Sequence, residues 1–286
     1  MTAFEDRHWT SPDGLRLHYR AYGEAQPGRA PALCLPGLTR NARDFEDLAP
    51  RLAQARQVLC PDMRGRGDSA YAKDSATYNP LQYVEDVEAL LAEAGIERFV
   101  AVGTSLGGLV TMLLALRDPR RLAGAVLNDV GPVIEAEGLA RIRGYVGTGR
   151  SFPTWMHAAR ALEETHAAAY PGFMATDWLR MAKRMMAVGQ NGRIAFDYDM
   201  KIAEPFSQPG GEAGVDLWPA FAALAGRPVL VLRGELSDLL SAETAAEMAR
   251  RMPEAEVVTV VGRGHAPTLD EPEAAAAIER LLDRCG

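Results

Sequence analysis

Six short apolar runs, separated mostly by helix-patterned stretches, constrain the fold of this 286-residue chain more than any other feature. They lie at Ala32–Leu35, Gln57–Cys60, Phe99–Val102, Leu122–Leu127, Val229–Leu232 and Glu256–Val261. Each is too short for a buried helix and is built from residues such as Val, Leu and Ala, which reads as a strand covered on both faces. Helical patterns fall at Leu81–Ala94, Leu106–Arg117, Ala242–Arg251 and Pro272–Asp283. Such alternation predicts an α/β fold: a mostly parallel, doubly wound sheet with helices on both faces. The stretch from His8 to Tyr22 instead alternates about Ser11-Pro12-Asp13-Gly14 and predicts an N-terminal antiparallel hairpin.

The pattern breaks between Pro132 and Leu217. No strong strand run occurs there, only helix-like pieces at Ile134–Val146, Phe152–Thr165, Thr176–Met186 and Asp197–Ile202. About 85 residues cannot be a plain loop in a compact domain, so a helical cap inserted between two strands is expected. The expected division is a core of residues 1–131 and 218–286 with a helical cap over 132–217. Gln208-Pro209-Gly210-Gly211-Glu212 reads as the linker returning to the core.

Composition narrows the class. Hydrophobic content of 48% and charged content of 24% are ordinary for a soluble globular protein. A net charge of −7 disfavours a nucleic-acid partner, and no apolar run is long enough to predict a membrane span. Acidic residues at Glu5 and Asp6 stand where a secretory leader would be basic. Cys34, Cys60 and Cys285 make an odd set without metal-ligand spacing, and the first two fall inside predicted strands. A cytoplasmic setting is expected. Neither a metal nor an organic cofactor is implied, since ligand clusters and a dinucleotide fingerprint are both lacking in the sequence.

Three chemistry-bearing residues follow predicted strands. Gly103-Thr104-Ser105-Leu106-Gly107 joins the Phe99–Val102 run to a helical pattern, and glycines on both sides allow the strained turn that lifts a serine hydroxyl out of a sheet. Asp238 lies beyond Val229–Leu232, and His265 closes Gly262-Arg263-Gly264 after the last run. In a parallel sheet all three reach the carboxyl edge, where ligands bind. Ser105 is the expected nucleophile and His265 its proton shuttle, because His8, His18, His157 and His166 follow no sheet strand. Asp238 is the expected orienting acid, with Asp129, after the preceding strand, as the alternative. Leu106, opening a helix directly after the nucleophile, offers one free N–H to an oxyanion.

These residues resemble the α/β-hydrolase superfamily, in the capped branch that includes esterases, lactonases and carbon–carbon bond hydrolases. The resemblance extends from Asp13-Gly14 to the final helix. It takes in Leu35-Pro36-Gly37-Leu38, the loop Pro61-Asp62-Met63-Arg64-Gly65-Arg66-Gly67-Asp68-Ser69, and Gly264-His265-Ala266-Pro267. It implies that the Leu38 N–H is the second oxyanion donor. Pro36 stands where the family usually has histidine, which removes a support from that loop. The resemblance places Arg64 near the elbow, either bracing loops through carboxylates such as Asp44 or Asp68 or binding a substrate carboxylate. In the cap, Trp155, Trp178 and Met181 are candidate pocket residues, with cap-to-core packing as their other role.

The activity expected is hydrolysis of small to medium apolar carboxylic esters or lactones through an acyl-enzyme, on a small-molecule substrate. Carbon–carbon bond hydrolysis of ring-cleavage diketone acids and non-catalytic ligand reception on the same scaffold are the alternatives. Nothing in the sequence separates a monomer from a homodimer.

Overall fold

The computed structural model describes residues 4–206 and 216–286. An eight-stranded sheet forms the centre, in the order β1-β2-β4-β3-β5-β6-β10-β11. Its strands are β1 (Phe4–Thr10), β2 (Arg16–Tyr22), β3 (Ala32–Leu35), β4 (Val58–Pro61), β5 (Phe99–Thr104), β6 (Leu122–Asn128), β10 (Val229–Gly234) and β11 (Glu256–Val260). The first two pair antiparallel, with His8 opposite His18, and β2 pairs antiparallel with β4. From β4 to β11 every pairing is parallel.

Strand side chains alternate between two apolar layers, as period 2 requires. Leu33, Leu35, Ala101 and Val231 enter one layer with α2 (Pro80–Glu93), α3 (Leu106–Arg117), α8 (Trp218–Ala222) and α9 (Ala242–Arg251). Cys34, Val100, Val102 and Leu232 enter the other, with α1 (Ala49–Leu52) and α10 (Pro272–Asp283). Burial on both faces is why these runs carry no polar alternation. Local signals set the helix starts. Asn79 accepts from the Gln82 amide ahead of Pro80, and Ser241 accepts from the Thr244 amide. Cys34, Cys60 and Cys285 are all buried free thiols.

The stretch after β6 holds α4 (Ala136–Tyr145), α5 (Trp155–His166), α6 (Ala175–Met185) and α7 (Ala203–Phe206). It is not purely helical, contrary to expectation. β7 (Ser151–Phe152), β8 (Met186–Val188) and β9 (Ile194–Phe196) form a small antiparallel sheet in the order β7-β9-β8. Strands of two or three residues carry too few side chains to register as a run. Asp197–Ile202 is likewise not one helix: Asp199 caps a single 3₁₀ turn, Met200–Ile202. Phe152, Leu162, Trp178 and Met186 give this stretch a small apolar core of its own. The expected return linker, Gln208–Glu212, lies outside the described residues. Among the described residues, no helix is long and apolar enough to cross a membrane.

Candidate active site

Ser105 stands between β5 and α3 with φ 52° and ψ −115°, a conformation that L-residues rarely adopt. The neighbouring glycines make that turn possible. A Cβ on Gly103 would sit 2.4 Å from the Gly107 carbonyl oxygen, and one on Gly107 would sit 2.1 Å from that of Leu35. The Ser105 amide is held by the Asn128 carbonyl at 2.9 Å, which fixes the elbow to β6.

His265 comes off the loop after β11. Its Nε2 lies 2.9 Å from Ser105 Oγ, and its Nδ1 lies 2.7 Å from Asp129 Oδ2. The acid on the imidazole is therefore Asp129, not Asp238. Asp129 follows β6 in the left-handed region, with φ 57°, and is fully buried. It accepts hydrogen bonds from the Gly234 amide at 2.8 Å and from Ser237 Oγ at 2.6 Å. Three partners thus converge on one buried carboxylate.

Asp238 turns the other way, its carboxylate gripped by Arg141 of α4 through Nε and, at 2.8 Å, through Nη2. Burial works against its charge, but the hydrogen bonds and the charge of Arg141 act together to hold the carboxyl below its usual range. The physical reason for the exchange lies in the loop after β10. Gly138 of α4 packs against the Asp238 backbone, donating its amide to the Asp238 carbonyl at 3.0 Å. That docking brings Arg141 onto Asp238, while Ser237, one residue earlier, points its hydroxyl to Asp129.

The amides of Leu38 and Leu106 have no hydrogen-bond acceptor among the described residues. Both residues border an apolar cavity that Ser105 also lines. The loop carrying Leu38 is anchored by Arg66, whose Nε donates to the Leu38 carbonyl at 2.8 Å. Nη1 donates to the Arg64 carbonyl at 2.6 Å and Nη2 to Tyr83 Oη at 3.0 Å, with the guanidinium over the Tyr83 ring. Arg66 therefore anchors a loop that lacks a histidine at position 36.

Arg64 does not reach the cavity. It is fully buried, bound at Nε and Nη2 by Asp86 and at Nη1 and Nη2 by Asp13. It braces loops, but through Asp13 and Asp86 rather than Asp44 or Asp68. Its guanidinium holds the Asp13 carboxyl down at about 2, against the opposing pull of burial. Trp178 is in the core of the inserted stretch and Trp155 packs against that core, so neither lines the site. Met181 does line it, together with Met185.

Ser105 lies between two cavities. One is apolar, walled by Leu109, Val130, Ile134, Leu139 and Leu239. The other is mixed, and is lined by Arg40, Asp44, Tyr145, His166, Tyr170 and Arg184 as well as by Ser105 and His265. Burial, followed by the charges of Arg40 and Arg141, pushes the His166 imidazole down to about 4. Sequence reasoning missed Arg40, Ser237 and His166. Arg40 could have been suspected from standing two residues after Leu38, and Ser237 from adjoining Asp238; His166 carried no local signal.

Among the described residues one group has metal-ligand proximity: His18, Asp62 and Asp68. His18 already uses Nδ1 on Asp62 at 2.7 Å and Nε2 on Asp6 at 2.9 Å. Asp62 also accepts from the Ala42 and Asp68 amides, so these groups serve the fold.

A parallel sheet whose serine rides a sharp strand-to-helix turn at the carboxyl edge defines an α/β hydrolase. The chain belongs to the α/β-hydrolase family, which it matches over residues 32–278. A 3-hydroxybutyrate-oligomer hydrolase from Cupriavidus necator is 36% identical over 270 residues, covering 92% of this chain and 91% of that protein. A 2-(acetamidomethylene)succinate hydrolase from Mesorhizobium japonicum is 29% identical over 248 residues, 86% of each. The crystal structure of an α/β hydrolase from Novosphingobium aromaticivorans matches with a TM-score of 0.95 at 68% identity, over 99% of both chains.

Proposed function

We propose that this protein is a serine hydrolase that cleaves carboxylic esters through an acyl-enzyme. The observation that carries the reading is the unbroken hydrogen-bonded line from Ser105 through His265 to Asp129. Ser105 Oγ attacks the ester carbonyl carbon as its proton passes to His265 Nε2. Asp129 holds the other ring nitrogen and stabilises the imidazolium. The Leu38 and Leu106 amides receive the oxyanion. His265 returns the proton to the departing alkoxide, and water then repeats the sequence to free the acid and Ser105.

Nucleophile, base and oxyanion donors all come from the chain, so the reading needs no cofactor. The stretch 132–217 is the cap over this centre, since α4, α5 and α6 contribute Ile142, His166 and Met181 to the cavity walls. Three buried free thiols fit a reducing, cytoplasmic setting. Relatives named for oligoester and substituted-succinate hydrolysis support the hydrolytic part of the reading.

Fluorophosphonate labelling followed by intact-mass and peptide analysis tests this without a guess at substrate. One adduct per chain on Ser105, lost in His265→Ala, is expected, together with turnover of short-chain p-nitrophenyl esters. A protein that binds small esters yet takes up no label would be a receptor, and the reading would fall.

A further inference from the structure

The two cavities at Ser105 differ in chemistry. The apolar one offers only hydrocarbon besides Ser105 and backbone, and suits a short alkyl arm. The mixed one contains two guanidinium groups. Arg184 meets two carboxylates, Glu46 at its Nε and Asp47 at its Nη2, at 2.8 and 2.5 Å, so two negative charges oppose its one. Arg40 meets a single carboxylate. Its Nε and Nη2 bind Asp44 side-on at 2.7 and 2.5 Å, leaving Nη1 without a hydrogen-bond partner among the described residues. The Asp44 pair fixes the plane of the fork, so the free edge is held in place before any ligand arrives. The stem of Arg40 lies against Gly37 in the loop carrying Leu38; its Cγ would be 3.3 Å from a Cβ there.

A second unpartnered group comes from the end of α5. The His166 ring stands edge-on to Tyr145, 5.4 Å between centroids, and makes no hydrogen bond among the described residues. It lines the same cavity as Arg40. As a neutral imidazole it presents one N–H and one acceptor nitrogen. Building on the ester-hydrolase reading, we propose that Arg40 and His166 form a subsite for a free carboxylate beside the scissile ester, while the apolar cavity takes a short alkyl group across it. The substrate class is then the acid-ended ester of a short hydroxy acid. Asp44 offsets part of the Arg40 charge, so the preference is one of about tenfold rather than absolute.

The test compares the linear dimer of 3-hydroxybutyrate with its terminal amide, which lacks only the charge. The wild-type protein should favour the acid by about tenfold in kcat/KM, mostly through KM. Arg40→Gln should bring the ratio close to one, Arg40→Lys should retain part of it, and His166→Phe should reduce it several-fold. Equal handling of acid and amide by the wild type, or an unchanged ratio in Arg40→Gln, overturns the proposal. Should Arg40→Gln not fold, inhibition of the wild type decides: 3-hydroxybutyrate should compete about tenfold more tightly than 3-hydroxybutyramide, and equal inhibition overturns the subsite. Neither compound being cleaved, with Ser105 unlabelled by fluorophosphonate, is a different failure, that of the ester-hydrolase reading itself.

Discussion

Asp129 and His265, 136 residues apart in the chain, meet through a 2.7 Å hydrogen bond between Oδ2 and Nδ1. The neighbouring loop holds a second aspartate, Asp238, whose carboxylate belongs to Arg141. Parallel substitutions separate the two roles. Asp129→Asn should lower ester turnover by roughly 10⁴, because an amide in that place favours the wrong imidazole tautomer. Asp238→Asn should cost less than about tenfold in turnover, since Asp129 keeps its direct hydrogen bonds to His265 and Ser237. A steady-state comparison on one p-nitrophenyl ester, with circular dichroism on each variant, checks both.

Ser237 is a positioning residue. Its hydroxyl donates to the same Asp129 oxygen that receives His265, and accepts from the Leu239 and Leu240 amides. Ser237→Ala should reduce kcat by about tenfold with little change in KM, as expected for one member of a buried network. Ser237→Thr keeps the hydroxyl and should recover most of the lost kcat. Loss that falls on KM as much as on kcat, or that the threonine fails to rescue, would assign Ser237 a purely structural role.

Arg66 supports the Leu38 loop through a three-way donor fork. Losing an oxyanion donor outright costs about 10²–10³ in rate. Arg66→Met loosens the donor without removing it, and should cost about 10-fold to 100-fold in kcat while KM for a neutral ester changes less. Lysine cannot reproduce the fork, so Arg66→Lys should rescue little. Wild-type kcat in Arg66→Met would show that the Leu38 loop holds its shape unaided.

His166 gives stability a pH dependence of known sign. Its folded-state value near 4 lies below the ordinary 6.5. Between those values the unfolded chain carries a proton that the folded one does not, so stability rises with pH across that window and levels above it. His166→Phe should flatten the rise. Urea midpoints at about pH 5 and pH 7.5 provide the measurement, and an unchanged difference would remove His166 as its source.

Much of this architecture was legible because it rests on patterns within single segments. Phe99–Val102 is buried on both faces and therefore apolar throughout, and the helix at Leu106–Arg117 starts where the Gly-Thr-Ser-Leu-Gly turn requires. The serine and histidine followed from that order, since a parallel sheet sends every strand end to one edge. The acid did not. Both Asp129 and Asp238 leave strands at that edge, and the choice between them depends on Arg141, 97 residues from Asp238 in the chain. The same limit hid Arg64's partners and the cavity walls contributed by Arg40 and His166. Contacts between distant segments leave no periodicity to read, and strands as short as Ser151–Phe152 leave too little.

The loop after β10 acts as a yoke. Ser237 donates to the Asp129 carboxylate, and Asp238 beside it holds α4 through Arg141, with the Gly138 amide on the Asp238 carbonyl and the Glu135 amide on the Leu239 carbonyl. Catalytic alignment and the seating of α4 thus share one short piece of backbone. A substitution that re-seats α4 is therefore felt one residue away, at the hydroxyl that holds the Asp129 carboxylate.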